Sequence, residues 1–209
     1  MMAWRLIVFA KAPLAGAAKT RLIPRLGAVG AARLARRMLI ERLHEARAAG
    51  LFEIELCVSP GPEVPIWREL DLPSVTHWSD QGDGDLGERM ARAAARALRG
   101  AEGVLLVGGD CPALDAARLL EAGEALSRSD AVLIPALDGG YVLMGLRRFD
   151  ASLFSGLPWG GDQVCALTEA RLAALGWHVI LQQALPDIDR PEDLALLPDG
   201  YAEFKVGAK

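Results

Sequence analysis

Two lysines, an arginine and a glycine stand within K-A-P-L-A-G-A-A-K-T-R-L, residues 11–22, directly after the apolar run Trp4 to Ala10. Fixed cations on a loop that leaves a strand, with backbone N–H groups at the loop and at the start of a following helix, are the chemistry of an anion site. Lys11, Gly16, Lys19 and Arg21 are therefore candidate contacts for a nucleotide phosphate. The segment ends in Lys-Thr but fails the G-x-x-x-x-G-K-[ST] pattern, because Ala18 and Pro13 stand where that pattern needs glycines. This argues against a P-loop ATPase. The competing reading is a surface loop of solvated lysines.

Carboxylates at predicted strand ends supply the second half of the chemistry. Asp110 follows the apolar run Val104 to Val107 and the pair Gly108-Gly109, which allows close backbone approach. Magnesium or manganese bridged to diphosphate oxygens needs only one or two protein carboxylates, so Asp110 suffices as an anchor. Alternatively it caps a helix beginning near Pro112. Asp187 and Asp189 precede Arg190-Pro191-Glu192-Asp193, where acidic residues also favour a helix start with no metal at all.

Other motifs divide between structure and ligand. Gly82-Asp83-Gly84-Asp85-Leu86-Gly87 matches G-x-G-x-x-G in form, but two aspartates inside it repel a pyrophosphate, which argues against a Rossmann-type cofactor site. A glycine-rich turn with Asp85 capping a helix at Leu86 is the alternative. Asp138-Gly139-Gly140 marks either a hairpin turn or a substrate-facing loop. His44, His77 and His178 show no triad or metal spacing, and no G-x-S-x-G occurs, so covalent serine or cysteine catalysis has no support. Cys57, Cys111 and Cys165 have neither zinc nor disulfide spacing, as suits a reducing compartment.

These residues need a scaffold, and the pattern is α/β. Strands are predicted near Arg5–Phe9, Glu53–Val58, Val75–Trp78, Val104–Val107, Ala131–Pro135, Tyr141–Leu146 and His178–Leu181. Helices are predicted near Ala28–Ala49, Leu86–Leu98, Ala113–Leu126, Gln163–Leu175 and Pro191–Leu197. No helix separates Ala131 from Leu146, so one strand there runs antiparallel in an otherwise parallel sheet. Loops after the strands converge at one cleft in such a sheet. The tail after Pro198 is expected to attach loosely.

The chain has 209 residues, 52% of them hydrophobic, which predicts one domain over 1–209 with a substantial core. Its net charge of −4 hides an asymmetry. Residues 1–50 carry ten Lys or Arg against two Glu, and the remainder is acidic. Cations for phosphates facing carboxylates for a metal would use that asymmetry. Arg33, Arg36, Arg37, Arg42 and Arg47 are expected on the solvated face of an amphipathic helix. The acidic balance and the lack of interleaved basic and aromatic residues argue against nucleic acid. No segment reaches membrane-spanning length and no leader pattern is evident, so a soluble cytoplasmic protein is expected.

As an ordered set, F-A-K-A-P-L-A-G-A-A-K-T-R-L, G-D-L-G-E-R-M, G-G-D-C-P-A-L, D-G-G-Y-V-L-M-G-L and D-I-D-R-P-E-D-L resemble a bacterial family of presumed glycosyltransferases named for arsenosugar biosynthesis, over nearly the whole chain. The resemblance implies a glycosyltransferase-A-like (Rossmann-like) three-layer fold, a nucleoside diphosphate sugar donor, a small-molecule acceptor, and Mg2+ or Mn2+. By position it implies nucleotide and phosphate contacts at Lys11, Gly16, Lys19, Arg21, Asp85 and Gly87. It implies metal ligation by Asp110 and Asp189, and an acceptor or sugar pocket at Asp138, Gly139, Gly140, Tyr141 and Trp159. The family usually has Trp-Ser-Thr where this chain has Trp159-Gly160-Gly161, and a proline where Ala15 stands. The first departure bears on the acceptor and on turnover. Two further readings stay open: a nucleotidyltransferase that joins an NTP to a phosphorylated small molecule, and a nucleotide-binding protein without turnover.

Overall fold

Successive side chains of a strand point to opposite faces of its sheet, and the first strand, β1 (Trp4–Lys11), uses both. Leu6, Val8 and Ala10 enter one buried cluster, while Ile7 enters another on the opposite face. A strand buried on both faces belongs between two helical layers. The computed structural model describes residues 4–50 and 52–205 and shows that arrangement.

Among the described residues one sheet holds β1, β2 (Phe52–Ser59), β3 (His77–Asp80), β4 (Gly103–Gly108), β5 (Ala131–Pro135), β6 (Tyr141–Leu146) and β7 (Val179–Leu181). Their spatial order is β3-β2-β1-β4-β6-β5-β7. Only β6 runs antiparallel to its neighbours, β4 and β5. The mostly parallel α/β architecture with one antiparallel strand is thus the predicted one. β3 lies two residues later than predicted, because pairing with β2, from Glu55 with His77 to Val58 with Asp80, decides its span.

Helices α1 (Ile23–Ala49), α2 (Ile66–Glu69) and α4 (Ala116–Ser127) lie on one face, and α3 (Leu86–Ala97) and α5 (Val164–Ala174) on the other. α1 breaks at Gly27, with φ 69° and ψ 165°, so its regular run begins at the predicted Ala28. α3 starts where Asp85 accepts the Glu88 amide and Glu88 answers the Asp85 amide, a capping box. Asp115, not Asp110, caps α4, so that helix starts at Ala116 rather than Ala113. The predicted helix over Pro191–Leu197 is a 3-10 turn, Pro191–Leu196.

Two further expectations are corrected around α1, the first by a third cluster. The C-terminal segment, ending in the short helix α6 (Ala202–Lys205), packs on the outer side of α1, where Tyr201 and Phe204 are buried with Leu34 and Met38. The tail is therefore docked as far as Lys205, because its two aromatics cover a flank of α1 that would otherwise face water. Arg42 of α1 points inward and is 3% exposed, instead of lying on a solvated face.

β1 connects through α1 to β2 on one side while β4 lies on its other side. Connections diverge there, so the carboxyl ends of β1 and β4 open a crevice at a topological switch point.

Candidate functional site

The crevice holds two adjoining cavities. One, of about 410 Å³, is lined by Lys11, Ala17, Ala18, Lys19, Thr20, Arg21, Gly109, Asp110 and Asp189, among others. The other, of about 360 Å³, is walled by Phe9, Met90, Tyr141, Val142 and Trp159 and carries Asp110, Asp138 and Asp187. Phe9, Lys11 and Asp110 line both.

Local turns build the basic side. Gly16 has φ 82° and stands exposed at the loop's bend. The amides of Ala17 and Ala18 turn back to the Leu14 carbonyl, each at 3.0 Å, and Leu22 donates to Lys19 at 2.9 Å. Those three amides are engaged inside the loop. Lys11 is exposed at the end of β1. Lys19 has φ 47°, the left-handed conformation that a non-glycine residue adopts only at a cost.

Lys19 is the centre of the geometry. Its Nζ lies 2.7 Å from Asp189 Oδ1, 3.0 Å from Asp110 Oδ1 and 2.6 Å from the Ile188 carbonyl oxygen. The side chain is 7% exposed. Burial alone would lower its pKa, but Asp110 and Asp189 outweigh burial and hold it above the ordinary lysine value. Asp189 is moved oppositely: burial would raise its pKa, and Lys19 with Arg21 brings it below the usual carboxylate value. Arg21 reaches the other oxygen of Asp189 at 3.3 Å. Asp193, at the 3-10 turn, accepts from the Asp189 and Arg190 amides. Asp193 therefore does the capping at this turn, and the Asp189 carboxylate faces the crevice.

Three oxygens, two of them carboxylate, thus converge on one cation position. Hard oxygen donors of this kind suit Mg2+ or Mn2+, which take one or two carboxylates and complete their shell with water and phosphate. Among the described residues no group of three or more His, Cys, Asp or Glu gathers as a metal site.

The second cavity has a different character. Trp159 meets Tyr141 edge to face, with centroids 6.5 Å apart and planes at 84°, and its indole Nε1 is buried without a partner. Burial raises the Tyr141 pKa, keeping the phenol protonated. Asp138 Oδ1 accepts the Gly140 amide at 2.9 Å, so this side chain both closes the hairpin turn and lines the cavity. Gly139, with φ 94°, packs against the Asp162 backbone, where a Cβ would come within 2.0 Å of the Asp162 carbonyl oxygen. Burial, then the charge of Asp138, raises the Asp187 pKa to about 6.

The crevice therefore gathers Lys11, Lys19, Arg21, Asp110, Asp138, Gly140, Tyr141, Trp159 and Asp189. Gly16, Asp85, Gly87 and Gly139 line neither cavity. Asp85 caps α3, and Gly87 packs against Trp159 and the Phe154 carbonyl. Sequence reasoning passed over Arg42, which donates to the Cys111 and Leu114 carbonyls and so braces the loop that bears Asp110. Its signal was weak, since an arginine in an amphipathic helix ordinarily faces water. Phe9 and Met90 were also passed over, because an apolar residue at a strand end or on a helix resembles core.

A family model of uncharacterized proteins conserved in bacteria (DUF2064) matches residues 42–161. The chain belongs to that family. No curated protein matches it. A crystal structure from Desulfovibrio desulfuricans, of a presumed nucleotide-diphospho-sugar transferase, is 30% identical with a TM-score of 0.87, covering 100% of this chain and 92% of that one. A CMP-2-keto-3-deoxy-manno-octonic acid synthetase complexed with CTP has TM-score 0.59 at 13% identity, over 96% of this chain and 99% of that one. A Mycobacterium tuberculosis protein in complex with manganese has TM-score 0.54 at 18% identity, over 94% and 98%. This family member thus has the fold of nucleotide-sugar transferases and cytidylyltransferases. Among the described residues no helix is long and apolar enough to cross a membrane.

Proposed function

We propose that this protein is a glycosyltransferase that moves a sugar from a nucleoside diphosphate sugar to a small, unphosphorylated acceptor with Mg2+ or Mn2+ present. The observation that carries the reading is the contrast between the adjoining cavities. One presents three cations, Lys11, Lys19 and Arg21, against Asp110 and Asp189, an excess that a diphosphate requires, while the other presents three aspartates against Lys11 alone. A phosphorylated acceptor would meet repulsion in the second cavity. Hydroxyl groups would find hydrogen-bond acceptors at Asp138 and Asp187 and an apolar wall at Trp159 and Tyr141.

In this reading Lys11, Lys19 and Arg21 hold the diphosphate and stabilise the charge it gains on leaving. Asp110 and Asp189 would hold the divalent ion, which supplies Lewis-acid stabilisation of that same charge. Asp138, Asp187, Tyr141 and Trp159 orient the acceptor, converting an encounter between two small molecules into a reaction within one site. The Desulfovibrio relative supports the donor class.

Product analysis tests this. The protein is incubated with Mn2+, a panel of nucleoside diphosphate sugars and unphosphorylated polyol, sugar and amine acceptors. Release of nucleoside diphosphate is expected. Pyrophosphate released from a nucleoside triphosphate with a phosphorylated acceptor, and no diphosphate release, would establish a nucleotidyltransferase instead.

A further inference from the structure

We infer that Lys19 is a tethered cation that keeps the divalent-ion position closed until a diphosphate draws its ammonium away. This rests on the reading of Asp110 and Asp189 as metal ligands, and adds an order to the binding events.

An ammonium has three hydrogens to donate. Lys19 Nζ donates to the Ile188 carbonyl at 2.6 Å and to Asp189 Oδ1 at 2.7 Å, and is ion-paired with Asp110 Oδ1 at 3.0 Å. The ammonium thus occupies the position between the two carboxylates that a divalent ion would need. A divalent ion placed among them with the ammonium still there would set three positive charges against two carboxylates at contact distance, so ion and ammonium exclude each other.

Lys19 has somewhere to go. Its side chain lines the cavity of about 410 Å³ with Lys11, Thr20 and Arg21, and a lysine head swings on a flexible four-carbon stem. Diphosphate oxygens in that cavity can take over the ammonium's hydrogen bonds, which frees the two carboxylates for the ion. The backbone supports a role for the side chain at this position. At φ 47° a glycine would sit without strain, so the local fold has no need of a lysine there, whereas the carboxylate pair does need a cation.

The consequence is ordered binding: wild type takes up Mn2+ weakly alone and tightly with a diphosphate. Calorimetric titration with Mn2+ alone, with free Mn2+ followed by electron paramagnetic resonance, tests it on wild type, Lys19→Gly and Lys19→Met. Lys19→Gly relieves the backbone, and Lys19→Met keeps the volume of the stem. Both variants are expected to bind Mn2+ roughly tenfold or more tighter than wild type. Adding Asp110→Asn should erase the gain. Mn2+ should also raise the melting temperature of the Lys19 variants more than that of wild type, since it neutralises two facing carboxylates.

Wild type provides a test that needs no substitution. Inorganic pyrophosphate should increase its Mn2+ uptake beyond the Mn2+–pyrophosphate complex measured without protein. Equal Mn2+ affinity in wild type and both variants would overturn the inference, as would wild-type uptake unchanged by pyrophosphate. The titration with metal alone involves no sugar donor, so it separates the two proposals. A gated Mn2+ site in a protein that consumes no nucleoside diphosphate sugar would sink the transferase reading alone. Ungated Mn2+ binding in an active transferase would sink the gate alone.

Discussion

The amide of Ile188 donates to the carbonyl oxygen of Asp110 at 2.9 Å. One backbone hydrogen bond thus ties the loop after β4 to the segment after β7, and the carboxylates of Asp110 and Asp189 are positioned together. Arg42 braces the same loop from below through Cys111 and Leu114.

Arg42→Met should leave those two carbonyls buried without their donor, at a cost of roughly 1–3 kcal/mol each. At about 2–4 °C per kcal/mol for a chain of this size, the melting temperature should fall by about 5 °C or more. The Mn2+-dependent gain in diphosphate affinity should shrink as well, although Arg42 touches neither ligand. Calorimetry below the melting transition checks both, and an unchanged gain would show that the loop needs no brace.

Lys11→Ala and Arg21→Ala should each weaken nucleoside diphosphate binding roughly tenfold to a hundredfold, the worth of a charge-assisted hydrogen bond. Both residues are exposed, so stability should change by no more than about 0.5 kcal/mol. Lys19→Ala is different. Its side chain is 7% exposed, and its removal leaves Asp110 and Asp189 facing each other, so this variant should lose stability as well as affinity. Diphosphate titrations and thermal melts on the three proteins distinguish the roles.

Gly87→Ala should disturb the second cavity from behind. An added Cβ would lie 2.5 Å from Trp159 Nε1 and 2.3 Å from the Phe154 carbonyl oxygen, and overpacking of this kind costs about 1–3 kcal/mol. Gly16→Ala meets nothing within 4 Å and suffers only the strain of φ 82°. Tryptophan fluorescence should therefore change in Gly87→Ala and stay constant in Gly16→Ala.

Tyr201→Ala should cost about 3–5 kcal/mol, as removal of a buried aromatic does. Tyr201 is 1% exposed, its hydroxyl donates to Glu41, and Arg37 lies 4.5 Å from its ring centroid. The melting temperature should fall by roughly 10 °C. A loosely attached tail would show no such drop.

Thiol labelling gives a pH test. Burial pushes the Cys111 thiol up to about 11 and raises Cys57 and Cys165 as well. Since the thiolate is the reactive form, native Cys111 should stay unmodified by iodoacetamide from pH 7 to pH 9 and react only on unfolding. Cys165, the least buried of the three, should react first. Mass spectrometry of labelled peptides reads both outcomes.

Short-range physics made much of the molecule legible before any coordinates. Apolar runs marked the strands to within two or three residues, because burial on both faces of a parallel sheet demands them. Asp85 followed three residues later by Glu88 marked the start of α3, because a helix terminus needs local partners for its amides. The chain order of those elements also told which loops, with Lys11 to Arg21, Asp110 and Asp189, leave the carboxyl ends of strands. Tertiary packing alone decided that Lys19 stands between Asp110 and Asp189, that Arg42 turns inward, and that Tyr201 closes the flank of α1. Those are contacts between segments remote in sequence. A side chain's periodicity states whether it faces water or protein on average, while its charged partner is set by which loops the sheet order brings to the same edge.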